Sequence, residues 1–167
     1  MRLSNFKKFI DSLNEEELKE ELLRIYTQLD SVKTFYKMDL GTDKDRKRVF
    51  DKAKKEIAKK YLTKSYRKPR RPRIQKVNKI LSETRKSTIL DYEMIDIYLF
   101  TSETALNFMR EYDFYSDVLV NNICNTFEKA QNLIKDNLME EEFAERVDKL
   151  REDSKYSREV RMRIRDL

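Results

Sequence analysis

The 167-residue sequence holds one glycine, two prolines, one cysteine, no histidine and no tryptophan. Each scarcity removes a class of chemistry. Phosphate-cradling loops, dinucleotide-binding turns and nucleophile elbows need several glycines, whose missing Cβ admits positive φ and close approach to a ligand. Gly41 alone does not supply them. Without histidine there is no His-based triad, HExxH zinc site, two-His facial triad or histidine-ligated haem. A single cysteine excludes an intramolecular disulfide and any CxxC pair. With Val120, Ile123 and Phe127 around it, Cys124 reads as a small buried apolar residue rather than a reactive thiol. No cofactor is implied, and no small-molecule substrate is evident.

Long apolar runs are missing as well. The longest uncharged stretch, residues 118–127, has ten residues, three of them asparagine. That is about half of what a membrane-spanning helix requires. The N-terminal Met1–Lys8 segment is charged and lacks the apolar core of a secretory signal. These features predict a cytoplasmic protein with no membrane association.

What the chain does contain is charge and helix formers, with 41% charged and 39% hydrophobic residues. Few breakers and abundant Glu, Lys, Leu and Arg predict helix almost throughout. A short helix over 4–11 is followed by Asn14 and Glu17, the spacing of a capping box. Leu18, Leu22, Ile25, Leu29, Val32 and Tyr36 then alternate at four and three residues, a heptad-like seam predicting one helix that stops at Gly41. Thr42 or Asp43 caps a helix over about 44–62, whose thin apolar stripe is Val49 with Phe50, Ala53, Ile57 and Tyr61. Pro69 and Pro72 break the chain, and helix resumes near Ile74. A helix from Ser87 or Thr88, carrying Leu90, Met94, Ile97, Thr101, Ala105, Phe108 and Tyr112, has a stripe wide enough to be covered on two sides. Further helices are expected over 115–137, around Phe143 to Leu150, and around Tyr156 to Ile164. The expected fold is all-α: one domain, 1–167, built as a compact array of about seven or eight helices in antiparallel pairs, a solenoid-like stack being one form. A basic, proline-containing loop occupies 63–73.

The net charge of +6 hides a sharp asymmetry. Residues 44–86 carry 19 basic and 4 acidic side chains, whereas residues 87–145 carry 3 basic and 13 acidic. Arg48, Lys52, Lys55 and Lys59 recur at i, i+4, i+7 and i+11 and form one ridge on their helix. The loop adds Arg67, Lys68, Arg70, Arg71 and Arg73, with Tyr61 and Tyr66 interleaved. Such a surface fits an acidic protein partner, including a second copy of the chain. It equally fits nucleic acid, whose phosphates the cations would neutralise while the tyrosines stack on bases. A third arrangement folds the ridge against the chain's own acidic section, 87–145. Among the carboxylates, Asp91, Glu93, Asp96, Asp113 and Asp117 are candidates for a carboxylate-only Mg²⁺ site, with Asp113 and Asp117 sharing a face. A solvated helix face is the competing reading of the same residues. Glu140–Glu142, after Asn137 and Leu138, read as a helix N-terminus.

The run Leu13–Leu23, the Lys54–Tyr61 helix, the basic loop before Ile74-Gln75-Lys76-Val77 and the Met94–Ile134 helix pair together resemble a known group. It is a family of small all-helical bacterial proteins, a domain of unknown function frequent in Bacteroidetes. The resemblance implies a helical fold in a bacterial cytosol and brings no active residues with it. The leading expectation is therefore a non-enzymatic helical interaction or scaffold domain that binds an acidic partner through the basic 44–73 surface. The alternative is a sequence-nonspecific RNA- or DNA-binding module using the same residues.

Overall fold

Four of the helices begin on a side-chain oxygen that accepts from an otherwise unpaired backbone N–H. The structure, a computed structural model, describes residues 1–63, 67–88 and 90–165. Among them are nine α-helices and one 3₁₀ turn, with no strand. α1 is Leu3–Asp11, α2 Glu15–Gln28, α3 Asp30–Asp39, α4 Asp43–Tyr61 and α5 Ile74–Ser87. α6 is Asp91–Tyr112, α7 Asp117–Asp136, α8 Glu140–Asp153 and α9 Arg158–Arg165, the turn at Ser154–Tyr156 lying between the last two. Asn14 and Glu17 close a reciprocal capping box on α2, with bonds of 3.0 and 2.8 Å. Thr42 caps α4, Ser116 caps α7 and Ser157 caps α9.

The centre of the molecule is the α6–α7 hairpin. α6 buries Met94, Ile95, Ile97, Tyr98 and Leu99, nearly a full turn of consecutive positions. A helix apolar all round must be covered on several sides. α4, α5, α7 and α8 cover it, and α9 packs on α7. α3 lies against α4 and α5, and α2 folds onto α3. Neither α1 nor α2 contributes a buried residue. Cys124 lies in the core, where burial pushes its thiol pKa up. The aromatic group at the end of α6 is core as well: Phe108 packs against Tyr112 and Phe114 at 4.9 and 5.6 Å between ring centres.

The array has one helix more than the periodicity predicts, because the expected helix through Leu29 breaks there. Leu29 takes an extended conformation, φ −110° and ψ 110°, between α2 and α3. The rings of Tyr26 and Tyr36 then meet at 6.2 Å. In one straight helix ten residues would separate them by about 15 Å along the axis, so the chain doubles back and the heptad-like seam is interrupted. The residue at which α3 gives way to α4 must be small. A Cβ at Gly41 would sit 2.1 Å from the Lys37 carbonyl oxygen.

With so little glycine, two helix ends use other residues in the left-handed conformation. Asp113 (φ 46°) follows α6, and Leu138 (φ 55°) follows α7. Around Leu138 the Met139 N–H donates to Ile134 O at 3.0 Å and the Leu138 N–H to Lys135 O at 3.2 Å, the paired bonds of a Schellman motif. Asn137 therefore closes α7 rather than capping α8, and Met139 precedes Glu140–Glu142 without a side-chain cap. Leu138 is 86% exposed, so it occupies a strained backbone position with little burial in return. Leu138→Gly should stabilise the protein by about 1 kcal/mol, raising Tm by roughly 2–4 °C in a thermal melt.

Candidate interaction surface

The basic ridge follows from the way α4 divides its circumference. Phe50, Ile57 and Tyr61 point into the core, and Lys54 turns toward α6. The remaining face carries Arg48, Lys52, Lys55 and Lys59, all exposed. Two are tied locally: Lys59 pairs with Glu56 at 2.6 Å, and Arg48 reaches Asp45 at 3.7 Å. Lys52 and Lys55 meet no carboxylate among the described residues.

The loop joins this ridge through its backbone. The Arg73 N–H donates to the Lys60 carbonyl at 3.2 Å, satisfying an acceptor at the end of α4. The Arg70 N–H donates to Thr63 Oγ1 at 3.0 Å. The two basic clusters, separated in sequence, thereby become neighbours. Arg67, Lys68, Arg70, Arg71 and Arg73 are all exposed, and the four arginines make no ion pair among the described residues. Guanidinium groups in this state are suited to bidentate recognition of carboxylates.

Tyr61 keeps its place on the apolar stripe of α4 and does not take the stacking role. It is 4% exposed, and its hydroxyl donates to Asn122 Oδ1 at 2.7 Å, while Asn122 Nδ2 donates to Asn78 at 3.2 Å. Burial raises its phenol pKa. The ring is a strut between α4 and α7 and offers no stacking face. Tyr66 lies outside the described residues.

Only two cations of the 44–86 block pair with the acidic section 87–145 among the described residues: Lys54 with Asp96 and Arg85 with Asp91. The ridge does not fold against that section. Nor do the five candidate Mg²⁺ carboxylates converge. Asp96 is held by Lys54 and Arg146, and Asp91 by Arg85 and Asn137. Asp113, outside any helix, accepts from the Tyr156 hydroxyl at 2.9 Å. Asp117 opens α7, so the two share no helix face. Glu93 has one buried carboxylate oxygen with no hydrogen-bond partner among the described residues, and burial raises its pKa.

Two features escape a reading of the sequence. One is a network across three helices: Lys54 of α4 and Arg146 of α8 converge on Asp96 of α6, and Arg146 also grips Glu103 through Nε at 2.6 Å and a second nitrogen at 3.0 Å. The other is a groove of about 710 Å³ between α3, α4 and α5. Its floor is Val49, Ala53 and Ile80, and its rim includes Lys37, Lys52 and Lys86. Neither has a local signature, because each draws on residues tens of positions apart.

Fold and surface together describe an all-helical domain with a segregated basic face and an open apolar groove beside it. Residues 1–163 match the family model of DUF6155, a family of unknown function, and the chain belongs to that family. No curated protein and no solved structure matches it. No helix among the described residues is long and apolar enough to cross a membrane.

Burial by itself would raise the pKa of Asp96, but the hydrogen bonds and charges of Lys54 and Arg146 outweigh it and hold the carboxyl below its ordinary value. A depressed carboxylate pKa stabilises the fold above the unfolded value of about 3.9 and loses that contribution as pH falls through the folded one. Asp96→Asn should cost about 1–3 kcal/mol at pH 7, measured by urea unfolding. The midpoints of variant and parent should converge as the pH drops below about 4.

Proposed function

We propose that the protein is a non-enzymatic helical interaction domain, working in the cytoplasm, whose basic 44–73 surface binds an acidic protein partner. The observation that carries this reading is the state of the cations. Lys52, Lys55, Arg67, Arg70, Arg71 and Arg73 are exposed and meet no carboxylate among the described residues. A dense like-charged surface of this kind is self-repelling in isolation and is relieved by an oppositely charged ligand. Burial of Tyr61 removes one of the rings that a nucleic-acid platform would use, and favours a protein ligand over bases. Sequence-nonspecific RNA or DNA binding is the second reading. It is supported by the exposed arginines around Pro69 and Pro72, which suit phosphates as well as carboxylates.

Anisotropy titrations with a labelled Glu-rich peptide and with short single-stranded RNA, at about 50 and 200 mM salt, separate the two. The peptide should bind more tightly than the RNA, and Arg67→Glu with Arg70→Glu, Arg71→Glu and Arg73→Glu should weaken it at least tenfold. Tighter RNA binding with a steep salt dependence would establish the second reading instead. Absence of binding to both ligands at low salt would overturn the proposal.

A further inference from the structure

The groove beside the basic ridge lies where α3, α4 and α5 meet, and each of the three presents about two turns to it. Asp30, Thr34 and Lys37 line it from α3, Val49, Ala53 and Glu56 from α4. Ile80, Thr84 and Ser87 line it from α5. On every helix these positions recur at i, i+4 and i+7, the spacing with which one helix packs on another. No fourth helix among the described residues lines the groove. Along α4 its wall runs from Arg48 to Glu56, about 12 Å. The seat has the form and length of a two-turn helix contact.

Most polar groups of the lining are already used. The hydroxyls of Thr34, Thr84 and Ser87 donate to the carbonyls of Asp30, Ile80 and Glu83 in their own helices, at 2.8, 2.9 and 3.0 Å. The three lining carboxylates are answered by cations outside the groove: Asp30 by Lys33 at 3.2 Å, Glu56 by Lys59 and Lys60 at 2.6 and 3.3 Å, and Glu83 by Lys79 at 3.8 Å. On the rim, Lys52 and Lys86 pair with no carboxylate among the described residues, and Lys37 acts only at longer range on Asp45. What the groove has left for a ligand is the apolar floor of Val49, Ala53 and Ile80 and the positive charge of its rim.

Floor and rim together select a ligand that is apolar on one side and acidic beside it. Nucleic acid meets the rim but has no aliphatic side chain for the floor. Arg48 and Lys52 belong to the groove and to the basic ridge alike, so a ligand lying on the 44–73 surface continues into the groove without a gap. We infer that the α3–α4–α5 groove receives an acidic, amphipathic helix of a partner protein, a helix-in-groove contact. Its apolar residues at i, i+4 and i+7 cover Val49, Ala53 and Ile80, and its flanking carboxylates meet Lys37, Lys52 and Lys86, whose alkyl stems close over the apolar side. The inference rests on the reading that the basic surface takes an acidic protein partner, and it adds the apolar anchor that the partner must carry.

Two labelled, Glu-rich helical peptides of about three turns and equal charge test it, one with leucine and one with serine at i, i+4 and i+7. In anisotropy titrations of the full chain the leucine peptide should bind about tenfold tighter or more. Amide NMR spectra of the parent should place its largest shifts on the α3, α4 and α5 residues that line the groove. Lys55→Glu, on the ridge but outside the groove, should weaken both peptides and keep their ratio. Ala53→Arg, which fills the floor, should bring the ratio close to one while keeping the parent's circular dichroism; if it misfolds, the spectra of the parent decide. Equal affinity of the two peptides, or shifts that fall outside these three helices, would overturn the inference and leave the broader reading standing. Failure of both peptides to bind at low salt would overturn the two together.

Discussion

α6 is the constraint on which the other helices depend. Its sequence from Met94 to Leu99 places apolar side chains on nearly every side, so the helix is stable in water only when surrounded. Each such side chain contributes roughly 1.5–3 kcal/mol when removed from solvent, and that gain exists only with neighbours present. α7 supplies the longest contact and approaches closely where side chains are small. Ser102 and Thr126 share a hydrogen bond of 2.6 Å, and Ala105 and Ala130 are fully buried. α4, α5 and α8 complete the cover, and apart from one Glu93 carboxylate oxygen the polar groups that go in with them are paired. Arg146 satisfies Asp96 and Glu103 together, and Tyr61 reaches Asn122.

This arrangement explains why the charge asymmetry survives folding. The helices that enclose α6 turn their apolar stripes inward, and the acids and bases between those stripes are left on separate outer faces. Lys54 and Arg85 cross from one section to the other because they lie at helix contacts. The ridge lysines lie about a third to half a turn round α4 from its core residues and are carried to the opposite face. A field of one sign over the 44–73 surface is thus a consequence of core packing, and the backbone bond from Arg73 to Lys60 concentrates it.

Much of the helical frame was legible in the residues themselves. The capping box at Asn14, the cap at Thr42 and the prolines at 69 and 72 are local devices, so the elements they bound are found close to where they were expected. The exceptions share a cause. Leu29 continues an apolar period in sequence, yet Tyr26 and Tyr36 pack together only if the helix breaks there. Glu140–Glu142 open α8 as their sequence suggests, yet Asn137 before them ends α7 through a Schellman turn at Leu138. Tyr61 stands among cations as well as on the apolar stripe of α4, and the stripe decides its direction, since its position matches that of Ile57. Of the candidate site, the ridge was visible as a period of lysines and arginines. The groove beside it was not, because its floor comes from α4 and α5 and its rim from three helices.

The sequence by itself determined that the chain is helical, where most helices start, that glycine- and histidine-dependent chemistry is excluded, and that positive charge collects between residues 44 and 86. All of these are matters of composition and of interactions spanning a few residues. Tertiary structure decided which charges remain unpaired among the described residues, that carboxylates of α6 serve a network with Lys54 and Arg146, and that α3, α4 and α5 enclose a groove. The physical reason is distance along the chain. Capping and helix periodicity act over three or four residues, whereas an ion pair such as Asp96–Arg146 joins residues fifty positions apart and exists only once the core has brought their helices together.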